Sequence, residues 1–274
     1  MIWGAVYGDI IGSYYEVHCT KNFDFELHKE SVFTDDTVMT AAVCEAIMLN
    51  PAPISPLEIR KRAKEYAAQY KSFYSRYPNA GFGQMFSDWA SSRSLYKQRS
   101  YANGGAMRVI PIGYAYDTLE QTLLQAKASC LYTHNTKEAI AAAKAVAAAV
   151  WLARHSKSKN EIREYIEREF RYKLSSPIEK IRENYAFDSR AEYSVPPAIN
   201  AFLQSNDYES AVRNAVSLGG DADTMACIAG GIAEAFYGEI PQYIADFCDI
   251  RLDGTIKKVI KSFIEEKNGR KNRK

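Results

Sequence analysis

Apolar residues recur at three- and four-residue spacing along most of the chain, and no apolar–polar alternation persists beyond a few residues. That period belongs to helices rather than strands. Residues 2–15 predict a first helix in which Gly4, Gly8 and Gly12 leave one face as bare backbone, so that another helix can approach closely. Residues 36–49 (DTVMTAAVCEAIML) predict a second, closed by Asn50 and Pro51. A charged amphipathic helix follows from Pro56 to Ser72, then a turn-rich stretch holding Pro78, Gly81, Gly83 and Asn103-Gly104-Gly105. Asp117 with Glu120, and Ser158 with Glu161, have the spacing of helix-opening capping boxes. Between them, Thr136 opens TKEAIAAAKAVAAAVWLARH, whose alanine density gives the strongest helix preference in the chain and predicts a central, closely packed helix. Pro196-Pro197 leads into a helix at INAFLQ, Asp207 to Ser217 forms another up to the Gly219-Gly220 break, and DADTMACIAGGIAEAFYG forms a further one whose first turn holds Asp221, Asp223 and Thr224. The pattern predicts an all-α protein of about ten helices in one domain.

The 274 residues are 47% hydrophobic and 25% charged, enough to bury a substantial core. A net charge of +2 from 35 basic and 33 acidic side chains predicts neither nucleic-acid nor membrane binding. The N-terminus lacks a basic leader and carries Asp9, and no apolar run approaches a membrane span. Five scattered cysteines, without a CxxC pair, suggest neither a disulfide framework nor a zinc site, so a cytoplasmic location is expected. The domain is expected to span 1–267, with 268–274 a basic, disordered tail. A monomer is the default expectation, and Trp3, Trp89 and Trp151 read as core.

Two distant segments share one design. Thr34-Asp35-Asp36-Thr37 and Asp221-Ala222-Asp223-Thr224 each place carboxylates and a hydroxyl at the start of a helix rich in small residues. One such segment is explained by capping, because Asp and Thr oxygens accept the unpaired N–H groups of a first turn. Two adjacent aspartates exceed what capping requires and add repulsion. Hard divalent cations, Mg²⁺ or Mn²⁺, relieve that repulsion, and two pairs of Asp could bridge two ions. Asp9, inside the glycine-striped helix, reads as structural, hydrogen-bonding a neighbouring helix end.

The segments GAVYGDIIGSYYE, FTDDT, NGGAMRVIPIG, THN and GGDADTMACIAGGIAEAFYG resemble, in order and spacing, the ADP-ribosylglycohydrolase family, which includes the dinitrogenase reductase-activating glycohydrolases. The resemblance spans residues 2 to 238. It implies a compact multi-helix orthogonal bundle with two Mg²⁺ or Mn²⁺ ions, hydrolysing the C1″ bond between ADP-ribose and an acceptor. Position by position, it makes Thr34, Asp35, Asp36, Asp221, Asp223 and Thr224 metal ligands. Glu16 matches a family glutamate on a mobile loop near the scissile bond, and Glu16, Asp35 or Asp36 would be the catalytic acid or base. Ser100, Tyr101, Asn103, Gly104, Gly105 and His134 become ADP-ribose contacts, with Tyr101 offering a flat face. Arg108 pairs with a pyrophosphate or ties down a helix end. Ser100 stands where some arginine-directed members have an acid, as in members acting on O-linked ADP-ribose. The partner is ADP-ribose or an ADP-ribosylated acceptor, nucleic acid only if it is that acceptor. A non-catalytic ADP-ribose binder and a two-metal phosphoesterase remain alternatives.

Overall fold

The computed structural model describes residues 1–271. In chain order they form α1 (Trp3–Val17), α2 (Asp35–Leu49), α3 (Ile59–Arg76), α4 (Gln84–Ser91), α5 (Ile110–Ala115), α6 (Leu119–Cys130), α7 (Lys137–Arg154), α8 (Lys159–Phe170), α9 (Ile178–Asn184), α10 (Ala191–Leu203), α11 (Tyr208–Val216), α12 (Ala222–Tyr237), α13 (Gln242–Asp249) and α14 (Gly254–Lys271). Short 3₁₀ turns lie at Pro56–Glu58 and Asn103–Gly105. Among the described residues there is no strand, only isolated bridges between Arg99 and His134 and between Ala102 and Arg190. The all-α expectation holds.

The glycine stripe of α1 does what its spacing predicts. A Cβ built on Gly4 would lie 2.5 Å from the Gly230 carbonyl oxygen, one on Gly8 2.1 Å from that of Ala226, and one on Gly12 2.3 Å from that of Ala222. The partners descend along α12 as they rise along α1, so the helices run antiparallel with backbone against backbone. Glu234 of α12 closes the far end, its Oε2 accepting from the Gly4 amide at 3.0 Å. Around this pair pack α7, α10 and α11. The alanines of α7 at 139, 142, 143, 145 and 147–149 are all buried, which is how one helix can touch α5, α6, α8, α10 and α12. On the other flank α2 lies between α3 and α14. Trp89 is fully buried, while Trp3 and Trp151 pack partly buried against the core.

The sequence reading has no counterpart for α4, α9, α13 and α14, and several boundaries differ from it. Thr118, not Asp117, caps α6, its side chain accepting from the Gln121 amide. Pro196 and Pro197 lie inside α10 rather than before it. Pro197 has no N–H for the Tyr193 carbonyl four residues back, and that oxygen instead accepts from the Tyr185 hydroxyl at 3.3 Å. Finally, α14 runs through Lys271, so part of the expected tail from 268 is helical; 272–274 lie outside the described residues.

Gly8→Ala places a methyl group into a backbone carbonyl and is expected to destabilise the fold by about 3 kcal/mol. Gly254→Ala, whose Cβ meets nothing within 4 Å, serves as the control. Urea unfolding midpoints compare the two.

Candidate metal centre and cleft

Three helix ends converge because α1 touches both α2 and α12. Asp9, one turn before Gly12, turns its carboxylate onto the start of α2. Its Oδ2 accepts from the amides of Thr34 (3.0 Å) and Thr37 (3.1 Å), and its Oδ1 from the Thr34 hydroxyl (2.7 Å). Asp9 therefore binds a neighbouring helix end, as its place in the sequence suggested. Thr34 is the N-cap of α2, and its Oγ1 also accepts from the Asp36 amide. On the other side, Gly12 lies against Ala222 and Asp223, which fixes the first turn of α12. Thr224 Oγ1 then donates to Asp36 Oδ2 at 3.1 Å, linking the two first turns.

Asp9, Glu16, Asp36, Asp221 and Asp223 fall into two overlapping groups, and Asp35, expected as a ligand, belongs to neither. Oxygens of Asp9, Asp36 and Asp223 lie within 4.8 Å of one another, as do oxygens of Glu16, Asp221 and Asp223, so Asp223 belongs to both. Among the described residues, Asp36 Oδ1 is buried without a hydrogen-bond partner. An unsatisfied carboxylate oxygen is costly in a protein interior unless a cation meets it. With only carboxylate and hydroxyl oxygens converging, the donor set fits a hard divalent cation. Glu16 sits in the last turn of α1 rather than on a mobile loop. The glycine contacts below it hold that turn against α12.

The electrostatics follow from crowding. Burial, followed by repulsion from Asp9 and Asp221, pushes Asp35 up to about 8. Burial and then Glu16 push Asp223 up to about 8. Asp36 and Asp221 are raised well above the ordinary carboxylate range, by burial first and Asp223 next. Glu16 is raised by burial, then by Asp221 and Asp9. Asp9 rises only to about 6, because its hydrogen bonds from Thr34 and Thr37 oppose the effect of burial.

Glu16, Asp35, Asp36, Asp221 and Asp223, but not Asp9, form the floor of a cleft of about 290 Å³, whose walls include Ser100, Asn103, Gly104 and His134. The Asn103 side-chain amide donates to Asp221 Oδ2 at 2.8 Å and to Ser194 Oγ at 3.1 Å, joining the glycine turn to the acidic floor. His134 is buried, and burial followed by the neighbouring Arg108 holds its pKa well below the usual histidine value. Its Nδ1 pairs with Thr133 Oγ1, leaving Nε2 toward Gly104. Arg108 ties down a helix end, donating to the Ser129 carbonyl of α6 and to Thr133 Oγ1 while its guanidinium covers the Tyr70 ring.

Two predicted contacts do not reach the lining. Tyr101 is 53% exposed, and its carbonyl accepts from the Ala191 amide. Gly105 faces Cys130 and His134, where a Cβ would meet Sγ at 3.1 Å. The aromatic faces that do line the cleft are Phe86 and Phe187, which the sequence reading passed over. Their signal was weak: Phe86 lies in a stretch read as turns, and Phe187 precedes α10 in a polar loop.

This architecture has counterparts among known proteins. The sequence model of the ADP-ribosylglycohydrolase family matches residues 1–272. ADP-ribosylhydrolase ARH3 of Homo sapiens is 28% identical over 322 residues, covering 90% of this chain and 87% of the relative. Its Mus musculus counterpart is also 28% identical, covering 90% and 85%. A solved structure titled "ADP-ribosylglycohydrolase-related protein complex" superposes with a TM-score of 0.66 at 22% identity, covering 96% of this chain and 94% of that one, and shows the shared fold. The chain belongs to the ADP-ribosylglycohydrolase family and is a glycohydrolase enzyme. Among the described residues no helix is long and apolar enough to cross a membrane.

Because Asp9, Asp35 and Asp223 titrate near 6, 8 and 8 in the fold, against about 4 when unfolded, the folded chain holds the extra protons between those values. Stability in excess chelator is therefore expected to fall as pH rises from 5 to 8. Added Mg²⁺ or Mn²⁺ should flatten that slope, read as melting temperature against pH.

Proposed function

We propose that this chain is a divalent-cation-dependent hydrolase that cleaves the C1″ glycosidic bond between ADP-ribose and an acceptor, releasing ADP-ribose. The observation that carries the reading is the buried, unpartnered Asp36 Oδ1 within two overlapping carboxylate groups on the cleft floor. In this reading Thr34, Asp35, Asp36, Asp221, Asp223 and Thr224 hold two Mg²⁺ or Mn²⁺ ions. When bound, such ions orient a ribose diol and lower the pKa of water.

The chain's own groups supply the rest. C1″–O or C1″–N cleavage passes through an oxocarbenium-like state and needs a proton moved at the water or the departing acceptor. Glu16 suits that transfer: its carboxyl reaches the Asp221 and Asp223 oxygens, yet the residue as a whole is exposed, so it can exchange protons with solvent. In this reading Gly104, on the cleft wall, lets the pyrophosphate approach the backbone, next to a neutral His134 that can donate or accept a hydrogen bond. Phe86 and Phe187 provide apolar faces for a base or ribose.

At the acceptor side, Ser100 offers a hydroxyl whose oxygen already accepts from the Ala102 amide. With serine at position 100, that position offers no carboxylate to a guanidinium leaving group, which weakens arginine as the acceptor. The relatives named ADP-ribosylhydrolase accord with ADP-ribosyl substrates.

Asp36→Asn and Asp223→Asn are each expected to lower turnover of an ADP-ribosyl conjugate at least ~100-fold, and Glu16→Gln to lower kcat by about 100-fold with little change in KM. The assay follows free ADP-ribose from serine-, arginine- and acetate-linked conjugates with Mg²⁺ or Mn²⁺. Undiminished turnover in excess chelator, or AMP in place of intact ADP-ribose, would overturn the proposal.

A further inference from the structure

The loop joining Glu16 to Thr34 carries a lysine that the chemistry above does not use. Lys21 Nζ donates to three backbone carbonyls: Arg182 at 2.7 Å, Tyr185 at 2.6 Å and Leu218 at 2.6 Å. An ammonium has three hydrogens, and all three are committed. The residue is exposed overall, but its stem runs over Gly219, where a Cβ would meet Cε at 3.0 Å. Gly219 has φ +67°, a left-handed conformation that glycine adopts without strain, and its carbonyl also accepts from Cys19 Sγ at 3.4 Å.

Each of the three carbonyls precedes a wall of the cleft. Leu218 stands three residues before Asp221. Arg182 and Tyr185 stand before Phe187 and Ser189, both of which line the cleft. Lys21 itself follows Glu16 by five residues. Tyr185 adds a further link, since a Cβ on Gly220 would lie 2.3 Å from its ring.

From this convergence we infer that Lys21 is a positioning residue: one ammonium clamps the Glu16 turn, the Phe187 wall and the Asp221 turn into a single rim around the cleft. This rests on the cleft being the hydrolytic site. Lys21 touches no reacting atom in this role. Fold integrity does not depend on it alone, because Arg182 separately binds Ser217 Oγ at 3.0 Å and Asn214 Oδ1 at 3.3 Å, holding α9 to the end of α11.

Lys21→Met keeps the length of the stem and removes the ammonium. It is expected to lower kcat/KM at least tenfold, chiefly through KM, and to weaken ADP-ribose binding by a similar factor, with the melting temperature nearly unchanged. Rescue separates positioning from packing: aminoethylation of the Lys21→Cys variant, made and measured against a Cys19→Ser reference, should restore both KM and ADP-ribose affinity. Affinity and KM within twofold of wild type for Lys21→Met would overturn the inference. So would aminoethylation that restores the melting temperature without restoring affinity. Absence of wild-type turnover would sink the hydrolase reading instead, leaving the ADP-ribose titrations to decide the clamp.

Discussion

The contact between α1 and α12 sets the geometry of everything above it. Three glycines on one helix meet three carbonyls on the other at distances where no side chain fits. Helices whose packing is mediated by larger side chains stand 8–10 Å apart and can slide by a few tenths of an ångström. Backbone seated on backbone removes that latitude. Asp9 and Glu16, which belong to α1, are therefore placed relative to Asp221 and Asp223 by the packing itself. The cap that Asp9 gives to α2 carries the same precision to Thr34 and Asp36.

That arrangement works against the stability of the cleft floor. A fold that only needed to be stable would not gather Asp9, Glu16, Asp35, Asp36, Asp221 and Asp223 so closely without, among the described residues, a single ion pair from them to Lys or Arg. Proteins keep strain of this kind where function uses it. Asp9 shows how the load is divided: its oxygens are taken up by Thr34 and Thr37, so it stays closest to an ordinary acid, while Asp36 retains one bare oxygen. The hydrogen bonds sort structural from available carboxylates more sharply than their positions in the chain do.

Much of this was legible in the sequence where a local rule has one physical meaning. The four-residue glycine spacing announced a close helix contact, the alanine run a central helix, and the paired TDDT and DADT segments an acidic meeting point. Legibility failed where tertiary context decides. Pro196-Pro197 reads as a helix start because proline lacks a donor, but the Tyr185 hydroxyl satisfies the carbonyl that Pro197 leaves free. Tyr101 reads as a stacking platform because it adjoins the glycine turn, yet the backbone pairing to Ala191 leaves its side chain exposed and outside the cleft lining. Phe187 could not be found from its neighbours, since only the path of the loop after α9 brings it to the cleft. The helix α14, whose Ile256, Ile260 and Phe263 are buried at helical spacing, was not identified from the sequence.

Gly12 illustrates a wider point about reading function from variants. It bears no functional group, yet it sits one turn from Asp9 and one turn from Glu16, pressed against Ala222 and Asp223. In a survey that ranks positions by lost activity, it would stand among the acids although it offers nothing to a substrate. Side-chain chemistry alone would assign it no role. The part of this enzyme that is hardest to replace is an absence, a missing methyl group that lets two helices share one surface.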